Sequence, residues 1–178
     1  MKAKKSLGQN FFINQNLAKS IVKIILEKDP TIIVEIGPGK GYFSKIIAEN
    51  TDKKCILIEK DTLLASDLKS YFPRAEVINT DFLDWRFREL NQYKNEKILF
   101  FGSLPYNVSK MIIRKIVESE YFNTDAFFII QKEVAEKYTD KESNLLSLTT
   151  KLFADVKKEF DISPSSFKVS SPVADEPE

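Results

Sequence analysis

The sequence contains no histidine. That absence removes Ser–His and Cys–His nucleophilic pairs and histidine-ligated metals together. Catalysis by this chain has to rest on carboxylates, hydroxyls, backbone groups or a bound cofactor. Cysteine is nearly absent as well. The single one, Cys55, excludes an internal disulfide and any multi-cysteine zinc site. Its setting, Lys54-Cys55-Ile56-Leu57-Ile58, reads as a small strand residue rather than a nucleophile. No apolar run approaches the roughly 18 residues needed to span a bilayer. The basic start, Met1-Lys2-Ala3-Lys4-Lys5-Ser6, is not followed by the apolar core of a signal peptide, so a cytoplasmic location without membrane contact is expected. Net charge is also lacking: 27 basic against 26 acidic side chains leave +1. The chain as a whole is therefore not strongly basic, although Lys2, Lys4 and Lys5 crowd its start and Asp175, Glu176 and Glu178 its end. A terminal lysine cluster is ordinarily a solvated tail. It becomes a phosphate-contacting arm only where the fold sets it beside a substrate groove.

What is present is alternation. At 178 residues the chain is long enough for one domain with a sizeable core, and no linker divides it. Strand patterns fall at Ile32–Ile36, Cys55–Glu59, Glu76–Asn79, Ile98–Phe101 and Ala126–Ile130. Helix patterns fall at Asn16–Leu26, Tyr42–Asn50, Thr62–Tyr71, Met111–Ser119 and Lys132–Tyr138, with a further helix expected over Leu145–Phe153. Val156–Ile162 and Phe167–Val173 are expected to add two last strands as a hairpin. Strand–helix alternation of this kind argues for a mostly parallel sheet, seven strands in all, with helices on both faces.

Glycine is scarce, five residues in all, and three of them stand together. The run Ile32-Ile33-Val34-Glu35-Ile36 is a buried strand ending next to Gly37-Pro38-Gly39-Lys40-Gly41, and a helix follows. Glycines there let the backbone turn sharply and approach a ligand closely. A strand, a tight glycine turn and a helix is the cradle that α/β proteins use for an adenosine-containing cofactor. The G-x-G-x-G spacing differs from the dinucleotide fingerprint. Glu59 closes the next strand about 20 residues on, where a carboxylate accepts from ribose hydroxyls. Asp81 follows the third strand and is suited to accept from an adenine amino group, with Phe82 near the ring. Taken alone, it also reads as a helix cap or turn former. After the fourth strand, Ser103-Leu104-Pro105-Tyr106 brings a polar group, a bend and an aromatic ring. The ring is able to stack on a base, and the polar atoms to accept from an amino group. An ordinary proline turn with a core tyrosine is the competing reading.

Four segments carry a family resemblance: Lys5-Ser6-Leu7-Gly8-Gln9-Asn10-Phe11-Phe12, Val34-Glu35-Ile36-Gly37-Pro38-Gly39, Phe101-Gly102-Ser103-Leu104-Pro105-Tyr106-Asn107-Val108-Ser109 and Gln131-Lys132-Glu133-Val134. They resemble the ribosomal RNA adenine dimethyltransferases over nearly the whole chain, and the start looks more like the small-subunit branch. The resemblance implies a Rossmann-like S-adenosylmethionine-dependent methyltransferase fold over residues 1–178, ending before the family's C-terminal helical domain. It implies S-adenosylmethionine as cofactor, no metal, and dimethylation of adenine amino groups in small-subunit ribosomal RNA. The implied partner is ribosomal RNA or a small-subunit precursor, met by a monomer.

It also implies roles. Asn10, the backbone at Phe12, and Gly37 line the methionine end of the cofactor, Glu59 holds the ribose and Asp81 the adenine. Ser103 stands where the family usually has asparagine, between cofactor and target. Tyr106 stacks on an extruded base and Phe167 covers it from the other side. Ser103 with the Leu104 or Pro105 carbonyl is expected to hold the amino hydrogens, so that the nitrogen lone pair faces the methyl group. Orientation and electrostatics would then supply most of the rate. The serine at 103, the altered segment after Phe167 and the missing helical domain motivate an alternative: an S-adenosylmethionine- and RNA-binding ribosome-assembly factor with little turnover. A nicotinamide-dependent dehydrogenase fits poorly, because the glycine spacing and a proton relay are missing.

Overall fold

The structure is a computed structural model that describes residues 10–119, 125–139 and 150–169. Its elements are β1 (Asn10–Phe12), α1 (Gln15–Glu27), β2 (Ile32–Ile36), α2 (Tyr42–Asn50), β3 (Lys54–Glu59), α3 (Thr62–Tyr71), β4 (Glu76–Asn79), β5 (Ile98–Ser103), α4 (Tyr106–Val117), β6 (Asp125–Ile129), α5 (Lys132–Thr139) and β7 (Phe167–Val169). A 3-10 turn at Phe87–Tyr93, not expected from the sequence, precedes β5. Strands β2 to β6 form one parallel sheet in the order β4-β3-β2-β5-β6. This is a doubly wound Rossmann-like arrangement, and its order reverses between β2 and β5. Ligands bind such sheets beyond the carboxyl ends of the strands at that reversal.

The central strand shows why the pattern works. All five residues of β2 are buried. Ile32, Val34 and Ile36 join Ile98 and Phe100 in a core beneath α4, α5 and the 87–93 turn. Ile33 joins Leu99 and Phe101 in a second core beneath α1 and α2. A strand buried on both faces is apolar at nearly every position, which is the hallmark of a parallel sheet. Helix α1 presents Ala18, Ile21, Val22 and Ile25 to that second core, and the Asn14 side chain caps it by accepting from the Leu17 N–H at 3.1 Å. Asp61 caps α3 in the same way, accepting from Leu63 and Leu64. Gly41 opens α2 at φ +76°, a conformation that strains other side chains, and a Cβ there would lie 2.6 Å from Phe72 Cε2 and force that ring to shift.

Three expectations change. The described residues give five strands in the parallel sheet, and β1 and β7 form a separate antiparallel pair, Phe12 opposite Phe167. The terminal hairpin does not form: Val156–Ile162 has no strand structure. Exposed ion pairs join close neighbours there instead, Lys157–Glu159 at 2.6 Å and Lys158–Asp161 at 3.0 Å, and no strand among the described residues pairs with the segment. Strand β7 pairs instead with the start of the chain, where Ile13 N–H donates to Ser166 O at 2.8 Å and Asn14 Nδ2 to Ser166 Oγ at 3.3 Å. Finally, α4 begins at Tyr106, not Met111, because Pro105 stands at its N-cap in extended conformation. Of the helix expected over Leu145–Phe153, residues 150 and 151 are helical and 145–149 lie outside the described residues. So do Lys2, Lys4, Lys5 and the Lys5–Gln9 part of the first motif. Among the described residues no helix is long and apolar enough to cross a membrane.

Candidate functional site

At the carboxyl ends of β2, β3, β4 and β5 a continuous crevice is lined by Gly37, Gly39, Glu59, Asp81, Ser103 and Tyr106, among others. Four strand ends and their loops therefore bring together residues far apart in sequence.

The glycine turn comes first. Gly37 has φ +64°, and its N–H donates to Ile58 O at 2.9 Å, which ties the turn to β3. A Cβ built on Gly37 or Gly39 meets nothing within 4 Å, so both backbones face open space. The Gly39 N–H donates to Glu59 Oε2 at 3.0 Å, and the Asp61 N–H donates to Glu59 Oε1 at 2.9 Å. The buried Glu59 carboxylate is thus oriented by two backbone amides. An ionised carboxylate accepts about four hydrogen bonds, so roughly two remain for a ligand.

Beneath the turn lies Glu35, also buried. Its Oε2 accepts from Ser44 Oγ at 2.7 Å. Burial lifts its pKa to about 7; the Ser44 bond works against the rise and the Glu59 charge adds to it. Asp81 is anchored differently. Its Oδ1 accepts from the Leu83 N–H at 2.9 Å, and Lys60 Nζ lies 4.0 Å from Oδ2. The Phe82 ring packs in the core against Trp85, Phe87 and Phe100.

On the β5 side, Ser103 ends the strand beside Ile129, and among the described residues its hydroxyl has no hydrogen-bond partner. Leu104 donates its N–H to Ile129 O at 2.9 Å, while nothing described donates to its carbonyl. The Pro105 carbonyl, expected as an alternative acceptor for the target amino group, is taken: it accepts from Val108 N–H at 3.2 Å and Ser109 N–H at 3.0 Å as the first turn of α4. Because α4 starts at Tyr106, the carbonyl of its N-cap residue Pro105 has to serve the helix. Tyr106, first residue of that helix, is 59% exposed. Ser109 donates its hydroxyl to the Tyr106 carbonyl at 3.2 Å and steadies that turn.

Phe12 and Phe167 both line the crevice. Their rings meet edge to face at 5.1 Å, and Phe12 packs on Phe43 at 5.0 Å. Phe167 is therefore half core residue. Asn10 lies in β1 opposite Val169; its side chain is outside what the structure describes. Cys55 is a half-buried strand residue whose pKa burial pushes up to about 11, so it stays a thiol. Sequence reasoning missed Asp61 and Ser44, the partners of the two buried acids. An acid at a strand end followed two residues later by a helix-capping aspartate was the available signal for the first; Ser44 carried none.

A doubly wound sheet, a glycine turn facing open space at its reversal and an amide-held carboxylate on the next strand define a Rossmann-like α/β domain that binds a nucleoside-containing cofactor. The sequence pattern of one family, described as ribosomal RNA adenine dimethylase, matches residues 1–173. The chain belongs to that family. It is 34% identical over 169 residues to ribosomal RNA small subunit methyltransferase A of Malacoplasma penetrans, covering 93% of this chain and 61% of that protein. It is also 34% identical over 174 residues to the protein of the same name from Francisella tularensis, covering 93% and 66%. The chain thus spans less than two thirds of the length of these relatives. Among solved structures, a dimethyladenosine transferase from Plasmodium falciparum matches with a TM-score of 0.69 at 24% identity, over 89% of this chain and 60% of that one. The 23S rRNA methyltransferase ErmE matches with a TM-score of 0.61 at 25% identity, over 75% and 52%.

Proposed function

We propose that this chain binds S-adenosylmethionine and methylates adenine amino groups of ribosomal RNA, with small-subunit RNA as the substrate. The observation that carries this reading is the Glu59 carboxylate, buried, held by Gly39 and Asp61 amides and still short of its full set of donors. Such a group is suited to the two hydroxyls of a ribose. The open backbone at Gly37 and Gly39 suits close approach of the rest of the cofactor. The family and the names of the relatives support the same reading.

When bound, the cofactor supplies a methyl group activated by its sulfonium. The chain's own residues do the rest. Asp81 keeps one carboxylate oxygen for an adenine amino group, and the first β strand at Asn10 and Phe12 closes the methionine end. Ser103 Oγ and the Leu104 carbonyl accept the two hydrogens of the target amino group. That bonding favours a pyramidal nitrogen, whose lone pair is otherwise delocalised into the ring. Tyr106 offers an exposed face for stacking the target base, and Phe167 bounds the pocket from the β7 side. A paired base cannot reach this depth, so the target is extruded or single-stranded. No strong base is needed, which suits a chain without histidine.

The test is calorimetric binding of S-adenosylmethionine followed by methyl incorporation into undermethylated small-subunit particles. Binding with incorporation supports the reading. Binding without incorporation favours an assembly factor that carries the cofactor without turnover. No binding overturns both.

A further inference from the structure

Helix α4 carries a lysine whose position the reaction does not require and whose bonding a solvated side chain would not have. Lys115 Nζ donates to three backbone carbonyls: Phe82 at 2.9 Å, Leu83 at 2.5 Å and Trp85 at 2.6 Å. An ammonium has three hydrogens, and all three are used. The carbonyls converge because Asp81 organises the same turn from its other side. Its Oδ1 holds the Leu83 N–H, and its backbone carbonyl accepts from Asp84 and Trp85 at 3.0 Å each. The rings of Phe82 and Phe87 flank the ammonium at 5.6 and 5.7 Å. Burial lowers the Lys115 pKa, opposed by the charges of Asp84 and Asp81.

We infer that Lys115 is a positioning residue for the cofactor site: from α4 it locks the 82–85 turn and so holds the Asp81 carboxylate toward the crevice. The helix that carries Tyr106 at its start is thereby fastened to the loop that carries Asp81, and the two sides of the crevice become one unit. A lysine is the side chain that reaches three carbonyls at once; arginine's planar fork suits carboxylates and phosphates instead. The inference rests on the reading of Asp81 as an adenine acceptor.

The test is a double-mutant cycle in affinity for S-adenosylhomocysteine, measured by calorimetry on folded protein. The variants are Lys115→Met, Asp81→Asn and the pair. Asparagine keeps the cap on Leu83 while its amide presents a donor where an acceptor is needed. Each single change is expected to weaken binding on the order of tenfold, the scale of one charged hydrogen bond. In the pair, Lys115→Met should add almost nothing, because a turn without its acceptor gains nothing from being held. Fold-losses that multiply instead would give Lys115 a purely structural role and overturn the inference. So would unchanged binding in Lys115→Met beside weakened binding in Asp81→Asn. Unchanged binding in Asp81→Asn would overturn the adenine reading itself, a result separate from the other two. Should Lys115→Met not fold, Lys115→Gln enters the same cycle, since its two amide hydrogens satisfy part of the carbonyl set.

Discussion

The N–H of Gly39 donates to Glu59 Oε2 at 3.0 Å. The turn after one strand thereby orients the acid that ends its neighbour. Replacing Glu59 with alanine removes this acceptor and the one facing Asp61. We expect S-adenosylmethionine to bind more weakly by about 1–3 kcal/mol, the cost of losing charged hydrogen bonds to the ribose. Isothermal calorimetry checks this; wild-type affinity in a folded variant would sink the assignment of Glu59.

Glu35 predicts a pH dependence of stability. Its ordinary value of 4.5 rises to about 7 in the folded chain, chiefly through burial. Between those values the folded state holds a proton that the unfolded state has released. The stabilisation is complete below pH 4.5 and is lost as pH rises through about 7. Glu35→Gln carries no such charge, so its melting temperature should fall less than that of wild type between pH 5 and 8. The difference should be on the order of 3 kcal/mol at the alkaline end. Parallel melting curves across that range would show that Glu35 does not titrate there.

Tyr106 is more than half exposed and begins α4, so its removal should cost little stability. Tyr106→Ala should lower methylation of RNA through the loss of a stacking contact worth about 1–3 kcal/mol. Cofactor affinity should stay near wild type. A collapse of cofactor binding would move Tyr106 from the base pocket to the cofactor wall.

Among the described residues, Ser103 Oγ and the Leu104 carbonyl are acceptors without a donor at the end of β5. Ser103→Ala leaves an amino hydrogen unpaired in the transition state and should slow single-turnover methyl transfer by about 1–3 kcal/mol. Ser103→Asn restores a longer acceptor and should keep or raise the rate. Equal rates for wild type and the alanine variant would leave the Leu104 carbonyl to hold the amino group alone. An inactive wild type rescued by asparagine would favour the assembly-factor reading.

Much of this protein is local and was legible in its sequence. The strands Ile32–Ile36 and Glu76–Asn79 and the helices Tyr42–Asn50 and Thr62–Tyr71 have the bounds that periodicity assigns, because a strand buried on both faces and an amphipathic helix write their burial into adjacent residues. The positions of the glycine turn, Glu59, Asp81 and Ser103 in the fold were legible for the same reason: each lies at or just past the carboxyl end of a recognisable strand. Tertiary structure decided the rest. The β1–β7 pairing and the Asn14–Ser166 bond join residues 152 apart in the latter case, and no local pattern encodes such a partner. The Pro105 carbonyl was lost to the site because α4 starts five residues before its apolar periodicity becomes clear. Lys115 reads in sequence as one charge on a helix face. Only the packing of α4 against the turn after β4 turns it into a knot of three carbonyls, since hydrogen bonds to backbone oxygens depend on where the chain has been folded and not on which side chains it carries.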